Sequence, residues 1–470
     1  MHQSLGTIAR CFAGIFAVAG VTWFALSSAS ALADANADVG NRDLVGSPTR
    51  TNADTDAGIP AVTIAESLPD GWQGRLETLG PATAILVANT SPGSILLIHA
   101  RGCEPVPVDE RFPRTLRDWQ EALAQRDESR FLAMSRRVTQ QLWNPVAAAL
   151  AEDITHVVLC GNAFDSIALD ALPLADGSFL LERLAVTHAA SLASVARILA
   201  PAAPADESPS ADAAPLDLLA VGGIHYGSSR GTPPPSFAPI AGSGAEALAV
   251  IGLHQQTYGA GRDRTFLTGK DADESRLRRE LAKHRTIHLA THGFYLASAP
   301  GSEPAAPESN DTRPDERART ADRYPGLLAG VACAGANERT ATDDEPDGLL
   351  TAEELAWLDL SKVDLIVLSG SETGLGRPTA GEGLQGSRRA LRIAGAKTVI
   401  STLWTLRDAD VRRIMHDFFH RLWVRGEDKA TAFRATKLAA LERQRSRLSE
   451  GDGGSVPGSW GAFVLEGAWK

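Results

Sequence analysis

Five short runs of apolar, often β-branched residues recur along the chain, at 155–159, 218–221, 286–290, 363–368 and 397–402. Each is apolar on both faces, the pattern of strands buried inside a parallel sheet rather than half-exposed in an antiparallel one. Between them lie stretches with helical character, at 184–199, 244–256, 274–284, 383–394 and 410–422, long enough to serve as crossover connections. The spacing predicts an α/β fold, a mostly parallel sheet with helices on both faces.

Upstream the pattern changes. Runs at 84–88 and 94–99 are separated by Asn-Thr-Ser-Pro-Gly, which is turn chemistry and predicts a β-hairpin, with a third strand at 106–108. From 113 to 151, Leu116, Trp119 and Leu123, then Phe131, Met134, Val138, Leu142 and Val146, follow the 3.6-residue period of an amphipathic helical pair. Pro/Ala/Ser-rich stretches at 201–215 and 228–243 read as solvated loops. Residues 298–348 hold 11 acidic and 5 basic residues and read as an exposed, partly disordered insertion.

The N-terminus is of another kind. Residues 11–28 are apolar, preceded by Arg10 and followed by Ala31-Leu32-Ala33, which suits a secretory signal peptide cleaved after Ala33. Comfortable spanning of a bilayer takes about 20 apolar residues, so an uncleaved anchor is the less favoured reading. The expected location is periplasmic or extracellular, with membrane contact only if the segment is retained. Residues 34–79 are an aperiodic flexible lead, 80–152 the hairpin and helices, and 153–470 the main domain.

With 57 acidic against 46 basic residues, the formal net charge is -11, and no global basic field invites nucleic acid. Past the signal peptide remain Cys103, Cys160 and Cys333, too few and too scattered for a disulfide framework or a structural zinc site. No Gly-rich phosphate loop with its Lys stands at a strand–helix junction, so nucleotide hydrolysis is not supported; no cofactor or metal is expected.

In open parallel sheets ligands bind beyond the carboxyl ends of the strands. One strand there ends in His292-Gly293, and another in Ser371 among small residues. A base on one strand end and a hydroxyl on another suit nucleophilic acyl transfer, with backbone N–H groups holding the oxyanion. Taken alone, a Ser after a strand in a Gly-rich turn is ordinary turn chemistry.

A longer set of motifs narrows the reading. Ile287-His-Leu-Ala-Thr-His-Gly, Asp347-Gly-Leu-Leu-Thr-Ala-Glu-Glu-Leu, Leu365-Ile-Val-Leu-Ser-Gly-Ser-Glu-Thr-Gly-Leu-Gly and Gly381-Glu-Gly-Leu-Gln-Gly-Ser-Arg-Arg-Ala occur in that order. Downstream follow Ala394-Gly-Ala-Lys-Thr-Val-Ile-Ser-Thr-Leu-Trp and Trp460-Gly-Ala-Phe-Val-Leu-Glu-Gly. Together, over roughly 80–470, they resemble the CHAT-domain family, caspase-like proteins of the cysteine-peptidase clan that also holds separase, caspases and gingipains. The resemblance implies a caspase-like sheet and peptide-bond hydrolysis on a polypeptide substrate. It implies His292 as catalytic histidine, the Gly293 N–H as an oxyanion donor and position 371 as nucleophile.

At 371 the sequence departs from the family, which carries cysteine there. A thiol beside a histidine ionises readily, whereas serine needs its base during attack and normally a carboxylate behind that base. No Asp or Glu is an evident third member, and Glu372 adjoins the nucleophile position. Ser371 thus leaves open a serine nucleophile, an inactive natural homologue, or a Cys-to-Ser change made for study; the resemblance implies a peptidase site impaired as written. A non-catalytic scaffold of the same fold, binding a peptide or partner protein, is the alternative.

Asp408 follows the 397–402 strand where this clan builds its primary specificity pocket, and would attract Arg or Lys at the cleaved position; a solvated loop carboxylate is the competing reading. His288 lies four residues before His292, a zinc spacing in a helix, but its strand context makes it a packed structural histidine. Arg313, Arg317, Arg319 and Arg323 in the insertion are candidate self-processing points against the plainer reading of a tolerated surface insertion.

Overall fold

A computed structural model describes residues 80, 82–91, 93–164, 167–199, 217–228, 236–295, 329–338, 346–370, 382–404, 406–449 and 456–470. The N-terminal apolar segment and lead, the 201–215 loop, Ser371, Glu372 and the insertion's four arginines lie outside the described residues.

The chain opens with a meander, β1 (Thr83–Ser91), β2 (Ser94–His99) and β3 (Gly102–Pro107), paired antiparallel. Then come α1 (Phe112–Ala124), α2 (Glu128–Val138) and, through a π turn at Thr139–Trp143, α3 (Asn144–Ala149). The side chain of Asp127 caps α2 by accepting from the Arg130 N–H at 3.0 Å. β4 (His156–Cys160) and β5 (Ala185–Ala189) bracket the single-turn α4 (Leu180–Arg183), and α5 (Leu192–Leu199) follows. The predicted helix at 184–199 is therefore half strand. Ala-Val-Thr-His-Ala pairs in parallel with β4, and its residues beyond Ala185 are buried, so tertiary pairing overrides the weak helical spacing.

The second half runs β6 (Leu218–Ile224), α6 (Ser243–Tyr258), β7 (Arg264–Gly269), α7 (Glu274–Leu281), β8 (Thr286–Leu289) and β9 (Gly293–Tyr295). It continues through β10 (Ala329–Ala332), β11 (Leu349–Thr351), α8 (Ala352–Ala356), β12 (Leu365–Leu368), α9 (Glu382–Ile393) and β13 (Thr398–Thr402). α10 (Asp408–Phe419), α11 (Lys429–Ser449) and β14 (Phe463–Gly467) complete it.

Eleven strands form one sheet in the order β3-β2-β1-β4-β5-β14-β13-β12-β8-β6-β7. Its pairings are parallel except in the β1-β2-β3 meander and between β13 and β14. β14 therefore bridges the halves, antiparallel to β13 on one side and parallel to β5 on the other.

Alternate residues of each central strand enter different cores, as a period of two requires. Leu218, Ala220, Leu365 and Val367 pack with Val250 of α6 and Phe418 of α10. Leu219, Val221, Ile366 and Leu368 pack with Leu277 of α7 and Leu391 of α9 on the other face. The fold is the expected mostly parallel sheet with helices on both faces. The insertion reading needs correction, because β10 pairs with β9 and β11 in a separate three-stranded sheet. Val331, Cys333, Ala336 and Asn337 are almost wholly buried there; the small apolar run after residue 328 is core despite its acidic surroundings.

Candidate active site

The strand ends that the sequence singles out are neighbours. β8 and β12 run parallel with Leu289 opposite Leu368, and the Ser369 N–H donates to the Leu289 carbonyl at 3.0 Å. One residue further, a Cβ placed on Gly370 would fall 1.4 Å from the carbonyl oxygen of Thr291. Backbone meets backbone there, and only glycine fits. The Gly370 carbonyl accepts from the Thr402 hydroxyl of β13 at 2.8 Å, which fixes the strand end from its other side. The residue before 371 is thus pressed against the residue before 292.

His292 is 3% exposed. Its Nε2 lies 2.7 Å from the carbonyl oxygen of Ala238. A carbonyl can only accept, so Nε2 carries the hydrogen and Nδ1 is the basic nitrogen of the neutral ring. The imidazole sits between Tyr226 and Phe237, with ring centroids 5.2 and 5.7 Å away. Phe237 is held by Asn337, whose Oδ1 accepts from the Phe237 N–H at 2.8 Å and whose Nδ2 donates to the Phe237 carbonyl at 2.8 Å. The Thr291 hydroxyl donates to the Ala332 carbonyl at 2.5 Å and accepts from the Tyr226 phenol at 2.9 Å. Burial pushes the Tyr226 phenol up to about 12, so it stays a neutral donor. The Tyr226 oxygen also accepts from the His292 N–H at 3.4 Å.

Two sequence readings change here. The group that orients the His292 ring is a backbone carbonyl, which no search for Asp or Glu could find. It comes from the 228–243 stretch read as a solvated loop, where Phe237 is 2% exposed. Tyr226, Phe237 and Asn337 gave no signal in the sequence because their roles arise only when three separate segments meet.

Gly293 opposes Val331 in the β9–β10 ladder, while the neighbouring Ala332 N–H donates to the His292 carbonyl at 2.8 Å. Gly293 and Val331 thus form a non-hydrogen-bonded pair, and the Gly293 N–H points away from β10.

Beside Gly370 lies a small cavity lined by Ser243, Glu246, Ala290, Ser369, Gly370 and Asp408, among others. Asp408, the first residue of α10, is half-buried and lines this cavity. Its carboxyl is raised above the ordinary carboxylate range by burial and then by the negative charge of Glu246, against a lowering influence of His292. Glu246 was not singled out in the sequence, where it is one polar position of a helix. Its Oε1 accepts from the Ser369 hydroxyl at 2.5 Å and from His288 Nε2 at 2.9 Å. His288 is fully buried, as the packed-histidine reading expects, and its ring meets Phe419 edge-on.

His292, Gly293, Gly370 and Asp408 thus share one sheet edge, with Ser371 next in sequence to the last described residue of its strand end. A comparison with curated protein sequences yields no match. Among solved structures the chain is similar to separase in the Saccharomyces cerevisiae separase–securin complex, with 12% identity and a TM-score of 0.34, over 70% of this chain and 17% of that one. It is also similar to the Arg-specific cysteine proteinase gingipain R, with 9% identity and a TM-score of 0.39, over 74% of this chain and 66% of that one. The chain spans less than two thirds of either relative. The profile of the CHAT domain family matches residues 132–468, well over half of the sequence, and the chain belongs to that family.

Proposed function

We propose that this chain is a caspase-like peptidase homologue whose site is built for hydrolysis of a peptide bond, with His292 as base and position 371 as nucleophile. The observation that carries the reading is the backbone contact between Gly370 and Thr291, which makes 371 and 292 the next residues on two strand ends already in contact. In the reaction the nucleophile's proton passes to His292 Nδ1, before attack for a thiol and during it for a hydroxyl, and its heteroatom bonds to the scissile carbonyl carbon. The oxyanion takes a hydrogen bond from the Gly293 N–H, and the imidazolium then gives its proton to the leaving amine as the peptide C–N bond breaks. Water repeats the sequence on the acyl-enzyme and releases the acid.

The Ala238 carbonyl holds the ring in the tautomer this requires. It carries no full negative charge, so it stabilises the imidazolium less than a carboxylate does. A cysteine at 371 tolerates that arrangement because thiolate and imidazolium form together before attack. Serine does not, and the chain as it stands is an impaired or inactive form. Asp408 beside the nucleophile turn selects Arg or Lys at the cleaved position of a polypeptide substrate. The protein acts after export, in the periplasm or outside the cell.

The test compares this chain with Ser371→Cys and with Ser371→Cys plus His292→Ala, on fluorogenic peptides carrying Arg, Lys, Asp or Leu before the scissile bond. Cleavage of the Arg and Lys peptides by the cysteine form alone supports the reading. Silence of all three folded proteins on every peptide overturns it in favour of a binding scaffold.

A further inference from the structure

We infer that Glu246 is a positioning residue that sets the distance between the base strand and the nucleophile strand, an inference that rests on the peptidase reading of the same edge. Three observations carry it. First, one carboxylate oxygen takes both hydrogen bonds, from His288 on β8 and from Ser369 just past β12. These donors lie four residues before His292 and two before position 371, so a single atom ties together the two strand ends that must converge.

Second, Glu246 stands on a rigid platform. A Cβ on Gly222 of β6 would fall 2.3 Å from the Ser243 carbonyl oxygen, so β6 and the first turn of α6 touch backbone to backbone. The Ser243 hydroxyl accepts from the Gly223 N–H at 2.9 Å and locks that contact. β12, β8 and β6 are consecutive neighbours in the sheet, and Glu246, at the first turn of the helix seated on β6, therefore references β8 and β12 to a third strand.

Third, His288 bears a cost that packing alone does not explain. Its Nε2 carries the hydrogen donated to Glu246, and its buried Nδ1 has no hydrogen-bond partner among the described residues. An apolar residue would fill the space beside Phe419 without an orphaned acceptor. What the histidine supplies is a donor reaching from β8 to Glu246.

A residue that reads substrate charge and one that holds geometry respond differently to loss of charge. In a Ser371→Cys background, Glu246→Ala is expected to slow iodoacetamide alkylation of residue 371 at neutral pH by about tenfold. Glu246→Gln, which keeps an acceptor oxygen, is expected to restore the rate to within about threefold, with KM for the Arg peptide unchanged in both. Equal increases in KM for Arg over Leu peptides in both variants, with unaltered alkylation, would make Glu246 a substrate-reading acid and overturn the proposal.

Amide exchange in the Ser371 chain tests the same idea without catalysis, and so stands even if His292→Ala leaves alkylation unchanged and the peptidase reading fails. Glu246→Ala should speed exchange at both 287–292 and 366–370, and Ser369→Ala at 366–370 alone. Should Glu246→Ala fold poorly, the Ser369 variant carries the test. Exchange unchanged at 366–370 in Ser369→Ala, or raised equally at both segments, refutes the tie.

Discussion

Arg388 on α9 and Glu466 on β14 form an ion pair at 2.8 Å with both side chains almost wholly buried. α9 is the first described element after position 371, and Glu466 is also the residue through which β14 pairs with β5. One residue thus joins the two halves of the sheet through its backbone and ties α9 to them through its buried carboxylate. Removing it leaves a guanidinium buried without its partner, and Glu466→Ala should lower stability by about 3–5 kcal/mol. Urea unfolding reads this as a shift in midpoint at unchanged slope; a shift below about 1 kcal/mol would mean that water reaches Arg388 and the site is not dry.

Gly370→Ala tests the backbone contact that carries the functional reading. The added methyl would lie 1.4 Å from a carbonyl that itself belongs to the strand end of His292, so one of the two strand ends must move. A displacement of about 1 Å at a reacting centre costs on the order of 100-fold, and cleavage by a Ser371→Cys chain should fall by at least that much. The comparison is kcat/KM with and without the Ala, at matched circular dichroism. Retention of more than a tenth of the activity would speak against the contact.

Acid should weaken the fold through two histidines. Burial holds His156 down to about 4, and burial with the positive charges of Arg388 and Lys437 holds His188 down to about 3, against 6.5 for a free imidazole. The unfolded chain binds their protons first, so stability is lost as pH falls from about 6.5 toward 4 and 3. His156→Gln keeps a donor for the Thr187 hydroxyl, now 2.9 Å from Nε2, and should flatten part of this fall. Melting temperatures between pH 7.5 and 4.5 check it, and parallel curves for the two proteins would contradict the assignment.

Glu274 acts in the opposite direction. It accepts from the Gly348 N–H at 3.2 Å, and burial, with Glu354 and Asp347 close by, pushes its carboxyl from 4.5 to about 7. A carboxyl that holds its proton more tightly when folded stabilises below 4.5, and that contribution is lost as pH rises through 7. Glu274→Gln should therefore be more stable than the parent chain at pH 8 and lose that advantage at pH 5. Thermal melts at the two pH values decide, and an advantage of equal size at both would show that the residue does not titrate in this range.

The large sheet was readable because its strands are apolar on both faces, a pattern with few other uses in a protein of this charge. The five runs at 155–159, 218–221, 286–290, 363–368 and 397–402 all became strands, with ends moved by a residue or a few. β5 was read as helix because Val186, Thr187 and His188 carry no alternation, and their strand state comes from pairing with β4. β10 was hidden by the charge of its flanks. Of the site, His292, Gly293 and Asp408 were legible as residues at strand ends. The carbonyl of Ala238 was not, since every residue has one and only position makes it special.

The sequence by itself determined the class of fold, the order of its motifs and two strand ends that the fold makes neighbours, because periodicity and motif spacing are local properties of a chain. Which groups converge there was decided only by tertiary structure. The orienting carbonyl, the Tyr226–Phe237–Asn337 setting of the base and the double grip of Glu246 join residues up to 123 positions apart, and no local pattern records a distance of 2.5 Å between Ser369 and Glu246.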